Sequence, residues 1–435
     1  MTAPQRSRYG GDTAIVMAGL LAAQGVMLAV MPVWARLFTP ADLAALGLWT
    51  AVGSVVAMLL LMRWDTCIVI AASDAQARAL VRLTLLLGLA GGGVLALLAG
   101  AALTVTPPAW LAAAGLAPLG PWLPLAVAAG GLSAAMAGGL GWANRQRDYR
   151  RISAARGLLA LTAALLGTVA GVAGLPGGLL WAHAAAAVLA LAALRWSLTP
   201  ADSIGAAARA HADAPRYLWP AAMLDTVTQQ IPLVLAAAWF GTEAAGQFSL
   251  AWRVAALPVL MVSAAAGSVF YQRFAALARQ ASDVGAGTSM ASDRAALRAL
   301  LIRHWRMAAL LGAAPTLLLM LAGGPLFAWV FGAAWAEAGR AAAVLAPMLL
   351  AMAVSSPTSG ALIVLGRQRW SPLFGLAMLM YRPAAFAIGA HLDSLLLALA
   401  LWAACEVVAI VLYNRIIWRA LAPQAGAARG PGESG

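Results

Sequence analysis

Apolar residues come in twelve runs separated by short polar, glycine- or proline-bearing breaks. They cover residues 13–34, 42–62, 79–104, 122–142, 157–175, 177–194, 217–240, 244–270, 307–330, 341–365, 370–390 and 395–418. Most are close to the ~20 residues a helix needs to cross the hydrocarbon core. The sixth is short and crosses only if its glycines are helical. The pattern predicts an all-α polytopic membrane protein of about twelve transmembrane helices. A polar connection at 197–216 divides it into residues 13–196 and 217–418, with an N-terminal stretch 1–12 before them and, after them, a Gly/Ala-rich tail 419–435 that alone is expected to be disordered. The longest interspan loop, 273–303, predicts a short surface helix near 294–303.

Composition agrees with lipid as the solvent: 63% of residues are hydrophobic and 10% charged, against about 25% charged in soluble domains. All 28 basic residues are arginine, which, beside so much alanine, reads as codon bias rather than chemistry. Their placement carries more. Twenty-four lie at the termini or in the loops after spans two, four, six, eight and ten, whereas the opposite loops hold Arg36 and Arg340 alone. The positive-inside rule then puts both termini in the cytoplasm. A formal charge of +13 therefore does not call for nucleic acid. The arginine group 145–151 is expected to touch anionic lipid headgroups.

Soluble-enzyme chemistry finds no footing, and the chain is not expected to be an enzyme. A Walker phosphate loop needs a lysine, and none exists. The histidines are scattered, and Cys67 and Cys405 are far apart, so neither a metal site nor a cofactor is expected. Gly88-x-x-x-Gly92 and Gly167-x-x-x-Gly171 permit close helix contact, but so many small residues make such pairs common by chance, and they locate no interface.

The candidate chemistry is ionisable groups inside spans: Asp225, Arg253, Arg382 and Glu406. Arg253 sits roughly 13 Å down the eighth span, near mid-membrane. Each such group costs roughly 2.5–3.5 kcal/mol at a helix centre, so each needs a partner or a wet cavity. In one reading Asp225 pairs with Arg253 and Arg382 with Glu406, and the pairs merely hold helices together. In the other, Arg253 and Arg382 line a cavity and meet an anionic headgroup, because a guanidinium offers two charge-assisted hydrogen bonds to one phosphate. Asp225 and Glu406 are then candidates for proton coupling, since burial raises a carboxylate's proton affinity. Arg36 is an interfacial anchor or, alternatively, part of an outer gate, and it joins Arg253 and Arg382 as a cavity candidate for binding substrate. Gln24, Gln229, Gln230, Thr226 and Thr228 are candidates for sugar hydroxyls, and Arg63 and Asp65 for a local ion pair.

Several stretches together resemble one family. Gln230-Ile231-Pro232, Phe240-Gly241, Gly246-x-Phe248 and Leu250-Ala251-x-Arg253-Val254 through Pro258 to Val269-Phe270 resemble the seventh and eighth helices of the polysaccharide-transport flippases. These belong to the multidrug/oligosaccharidyl-lipid/polysaccharide (MOP) exporter superfamily. Arg36-Leu37-Phe38-Thr39-Pro40-x-Asp42, Arg63-x-Asp65 with Ile68-Val69-Ile70, and Phe331-Gly332-x-x-Trp335-x-x-Ala338-Gly339 are similar to the same family in order and spacing. The resemblance covers residues 13–418.

It implies two six-helix lobes around a central cavity and multi-pass insertion in a bacterial inner membrane. The implied activity is transfer of a polyprenyl-pyrophosphate-linked oligosaccharide between leaflets by alternating access. Membrane lipids, H⁺ or Na⁺ as coupling ion and a polysaccharide polymerase machinery are the implied partners. Basic cavity residues meet the substrate in that family, which carries over most directly to Arg253, inside the matched motif. The alternative within the superfamily is a multidrug/cation antiporter, whose cavity should be dominated by acids. A membrane glycosyltransferase or polymerase would need a large outer loop or an interfacial acid cluster, and the sequence shows neither.

Overall fold

Thr39 shows how the short polar breaks act. Its hydroxyl accepts from the Asp42 amide at 3.3 Å, and the Asp42 carboxylate accepts from the Thr39 amide at 2.9 Å. This reciprocal cap starts a helix at Pro40, where a missing N–H leaves nothing unsatisfied. Ser73, Asp148 and Ser394 cap three later helices with one side chain each. In the computed structural model of the protein, residues 3–105, 109–194, 202–283, 289–358, 361–365 and 371–421 are described. Over 3–17, most of 258–294 and a few positions between 357 and 372 the description is of the backbone alone. All regular structure among the described residues is helical.

The helices are α1 (Ala3–Leu37), α2 (Pro40–Leu61), α3 (Trp64–Ile70), α4 (Asp74–Leu86), α5 (Gly92–Val105), α6 (Ala109–Ala113), α7 (Leu123–Arg145), α8 (Tyr149–Val172), α9 (Gly178–Ala193), α10 (Ile204–Ala210), α11 (Trp219–Asp283), α12 (Ser289–Phe331), α13 (Ala336–Ser355), α14 (Ala361–Val364), α15 (Ser371–His391) and α16 (Leu395–Ala420). Among the described residues, ten helical segments are long and apolar enough to cross a membrane. One of them folds back on itself. In α11, Gly241 adopts φ 86° and ψ 177°, and the chain reverses there. A methyl group on Gly47 would stand 2.7 Å from Ser249 Oγ and 2.9 Å from Leu233 Cδ2. In a straight helix those two residues of α11 would be about 24 Å apart. The hairpin supplies two crossings, and α9, shorter at 16 residues, completes the twelve expected from the sequence.

The dihedrals at Gly241 lie in a region that side-chain-bearing residues scarcely visit, at about 1–3 kcal/mol. Gly241→Ala is therefore expected to lower the thermal midpoint of the purified protein. An unchanged midpoint would show that the turn can reshape without loss.

The first lobe packs α1 on α8, α8 on α9, α2 on α7 and α5 on α7; the second packs α12 on α13, α13 on α16 and α15 on α16. The α11 hairpin lies against both, resting on α2 as well as on α13 and α15. The apolar cores are arranged unevenly. One large core joins the lobes at the end opposite the arginine-rich loops, where Trp34, Leu43 and Leu46 of the first lobe share it with Phe331, Trp335 and Trp402 of the second. The Trp335 indole donates to the Ala35 carbonyl across the junction at 2.7 Å. At the arginine-rich end each lobe has its own core: Trp64, Ile68 and Leu80 in the first, Phe274, Leu301 and Ile417 in the second. The lobes thus share an apolar core at one end and have separate cores at the other, where the Trp219 indole still donates to the Met58 carbonyl at 3.0 Å.

Three expectations change. Both Gly-x-x-x-Gly pairs do lie at interfaces: a methyl on Gly88 would stand 2.7 Å from the Ala135 amide nitrogen of α7, and one on Gly167 2.7 Å from the Trp34 ring. A π-helical turn, Leu87–Gly91, sits at the first of these. Most of loop 273–303 is helix, because α11 continues to Asp283 and α12 begins at Ser289. Its alanines, glutamine and arginines are good helix formers, while Gly285 and Gly287 lie outside the described residues. The 197–216 connection is partly helical as well, with Ala207 and Ala214 buried in the first lobe's core. The tail beyond residue 421 lies outside the described residues.

Candidate functional site

A cavity of about 390 Å³ lies between the lobes. Gln24, Met27 and Met31 of α1 and Gly47 and Thr50 of α2 form one wall. Both limbs of the α11 hairpin form the other, with Gln229, Gln230 and Leu233 before the turn and Phe248, Ser249, Trp252 and Arg253 after it. Trp402 of α16 closes the back. The hairpin explains why residues far apart in sequence share this space: Gly241 brings the two limbs side by side, so positions on either side of it face the same gap.

Among the described residues, Arg253 is the one charged residue lining the cavity. Its Nη2 donates across to the first lobe, 3.2 Å from the Leu46 carbonyl and 3.1 Å from Thr50 Oγ1. No carboxylate among the described residues lies within ion-pairing distance of it. Thr50 itself donates to the same Leu46 carbonyl at 2.9 Å. The guanidinium therefore rests on weak, neutral acceptors and keeps donors for a stronger one. An oxyanion at this place would gain charge-assisted hydrogen bonds in surroundings drier than water.

Around Arg253 the wall is aromatic and amide. Trp252 lies 5.5 Å from Trp402, and Phe248 lies 6.3 Å from Trp252 and 6.1 Å from Trp402, centroid to centroid. Gln24, Gln229 and Gln230 offer both donors and acceptors to hydroxyl groups. The expected Thr226 and Thr228 do not join them, because their hydroxyls donate back to the carbonyls of Ala222 and Leu224 at 2.8 and 2.6 Å.

Arg382 does not line this cavity. It is buried behind the wall, with Nη2 3.0 Å and Nε 3.3 Å from the two carboxylate oxygens of Glu406 and Nη1 donating to the Thr228 carbonyl at 2.7 Å. Glu406 also accepts from Tyr381 at 2.8 Å and from the Trp402 indole at 3.0 Å. Every charged atom in this group has a partner, the condition under which a buried ion pair is tolerated. Of the two pairings weighed from sequence, this one is present in the fold. The network also fixes Trp402, and so holds the aromatic back of the cavity.

The other pairing is absent. Asp225 is exposed and accepts from Gln229, one turn away on the same limb, at 2.9 Å; it does not reach Arg253. Arg36 lies outside the cavity, exposed at the end of α1, where it donates to the Pro32 carbonyl at 2.9 Å. Arg63 and Asp65 do not pair: Asp65 Oδ1 is buried without a hydrogen-bond partner. Arg145 is not free for lipid headgroups. Its Nη1 collects the Ile68, Val69 and Ala71 carbonyls at 3.3, 3.2 and 2.7 Å, and its Nε meets Asp74 at 2.8 Å. The end of α3 would otherwise leave those carbonyls unsatisfied.

No family model matches the sequence, and no curated protein matches it. Solved structures do. An inward-facing structure of a multidrug resistance MATE family transporter of the MOP superfamily superimposes with TM-score 0.69 at 15% identity, covering 91% of this chain and 95% of that one. An outward-facing structure of such a transporter gives TM-score 0.56 at 16% identity, with 94% of each chain covered. A MOP superfamily transporter from Pyrococcus furiosus, described as having a binding pocket whose reverse polarity suggests a different function, gives TM-score 0.57 at 15% identity, again over 94% of each chain. The chain therefore has the fold of the MOP superfamily transporters.

Proposed function

We propose that this membrane transporter is a flippase for a lipid with an anionic, sugar-bearing headgroup, the polyprenyl-pyrophosphate-linked oligosaccharide of the sequence resemblance. One observation supports this above the others. Among the described residues, the cavity between the lobes holds a single charge, that charge is a guanidinium, and no carboxylate neutralises it. A carrier for cations would present the opposite sign. The Pyrococcus furiosus transporter shows that pocket polarity has been used to argue function on this fold.

In this reading the headgroup enters from the arginine-rich, cytoplasmic side, where the lobes share no apolar core. Its pyrophosphate takes the place of the Leu46 carbonyl and Thr50 hydroxyl as acceptor for Arg253. That exchange removes both hydrogen bonds from Arg253 that tie the lobes together and so favours the outward state, as a ligand must if it is to shift the equilibrium. Sugar rings find the Gln24, Gln229 and Gln230 amides and the face of Trp252, while the polyprenyl tail stays in lipid. Asp225, solvent-accessible one turn below Gln229, is the candidate for coupling to H⁺ or Na⁺; Glu406 is engaged by Arg382, Tyr381 and Trp402. The membrane is the bacterial inner membrane.

The multidrug/cation antiporter is the second reading, favoured by the MATE neighbours and by Asp225 beside the cavity mouth. Reconstitution separates the two. Proteoliposomes should speed the transbilayer movement of a fluorescent polyprenyl-pyrophosphate glycan and leave a cationic dye gradient untouched. Asp225→Asn should remove any dependence of that movement on a pH gradient. Dye extrusion without glycan movement would hand the function to the second reading.

A further inference from the structure

A second feature lies on the outside of the second lobe, away from the transport cavity. Where the start of α15 meets the end of α16, a groove of about 510 Å³ is lined by Leu373, Phe374, Ala377, Leu412, Arg415, Ile416 and Arg419. Its apolar side chains are exposed where hydrocarbon would lie, with Leu373 at 56% and Leu412 at 49%. Phe374 packs edge-on against Tyr413 at 5.1 Å and forms the floor. Arg415 and Arg419 stand one helical turn apart on the exposed face of α16, at the arginine-rich end.

Three other arginines on the same side are engaged. Arg145 is held by Asp74 and backbone carbonyls, Arg151 by Asp148, and Arg298 stacks on Trp418 at 4.5 Å. Arg415 and Arg419 have no hydrogen-bond, ion-pair or ring partner among the described residues. Two unpaired guanidiniums above a two-helix apolar groove match a phosphate headgroup above acyl chains in sign, spacing and depth.

We propose that this groove binds an anionic phospholipid of the inner leaflet, its phosphate between Arg415 and Arg419 and an acyl chain along Leu373, Phe374 and Leu412. The site is separate from the Arg253 cavity and does not depend on what that cavity carries.

Native mass spectrometry of the delipidated full-length protein, titrated with phosphatidylglycerol or phosphatidylcholine, tests it. Wild type should retain one phosphatidylglycerol in preference to phosphatidylcholine, and Arg415→Ala with Arg419→Ala should weaken that adduct about 30-fold. The control removes the same charge elsewhere: Arg303 and Arg306 head an apolar patch on α12 alone, and Arg303→Ala with Arg306→Ala should keep the adduct. Equal losses in the two variants would reduce the effect to general surface charge and overturn the site. So would equal binding of the two lipids, or displacement of the adduct by millimolar inorganic phosphate, which would mark a phosphate site without a lipid.

Discussion

Arg253→Ala should insert at wild-type abundance and lose surface polysaccharide when it replaces the native protein in cells. The structural cost is small, because the residue is half-buried and its acceptors are already satisfied: the Leu46 carbonyl keeps its bond from Thr50. The functional cost is large. A charged hydrogen bond to phosphate is worth about 1.5–3 kcal/mol, so transport should fall at least about ten- to a hundredfold. Arg253→Lys keeps the charge and loses the planar fork, and should fall between. Wild-type export by the alanine variant would remove Arg253 from the transport path and with it the main support for an anionic cargo.

The Arg382–Glu406 pair should behave in the opposite way. Arg382→Met leaves a carboxylate buried against Tyr381 and Trp402 with no cation, and breaking such a pair from one side costs about 3–5 kcal/mol. The expected result is a fall in folded, membrane-inserted protein and in its thermal midpoint. Adding Glu406→Gln to that variant should restore most of both, since the amide oxygen still accepts from Tyr381 and Trp402 while the stranded charge is gone. Thermal unfolding of the three proteins in detergent checks this. A single variant that stays fully stable yet transports nothing would make Arg382 a cargo contact after all.

Much of this was legible in the chain because lipid leaves little freedom. A run of about 20 apolar residues can be only one kind of element, so twelve spans could be counted from composition, and loop arginines could orient them. Arg253 was legible for a related reason: a charge at mid-depth must face something. What the charge faces was not legible. Arg382 and Arg253 look alike by depth, yet α15 turns one toward Glu406 and the α11 hairpin turns the other toward the gap. Helix rotation decides that, and in runs with polar residues on no single face the sequence carries little record of it. Trp252 and Trp402 were missed for the same reason, although Trp252 stands next to Arg253. The Gly88 and Gly167 pairs failed differently. Alanine and glycine are so frequent here that true contacts are hidden among chance ones, and only the positions of Ala135 and Trp34 reveal them. Loop 273–303 was expected to be helical only near 294–303, which lies in α12, whereas polar residues with good helix propensity also continue α11 to Asp283.

The uneven distribution of apolar packing sets which half of the cycle runs uphill. Turning outward must pull Trp34 and Leu43 from Phe331 and Trp335 and wet those faces, whereas the arginine-rich ends share no core that has to be torn. The unloaded molecule should therefore wait with its outer mouth shut, and the work of an ion gradient or of bound cargo belongs to the opening stroke rather than to the return.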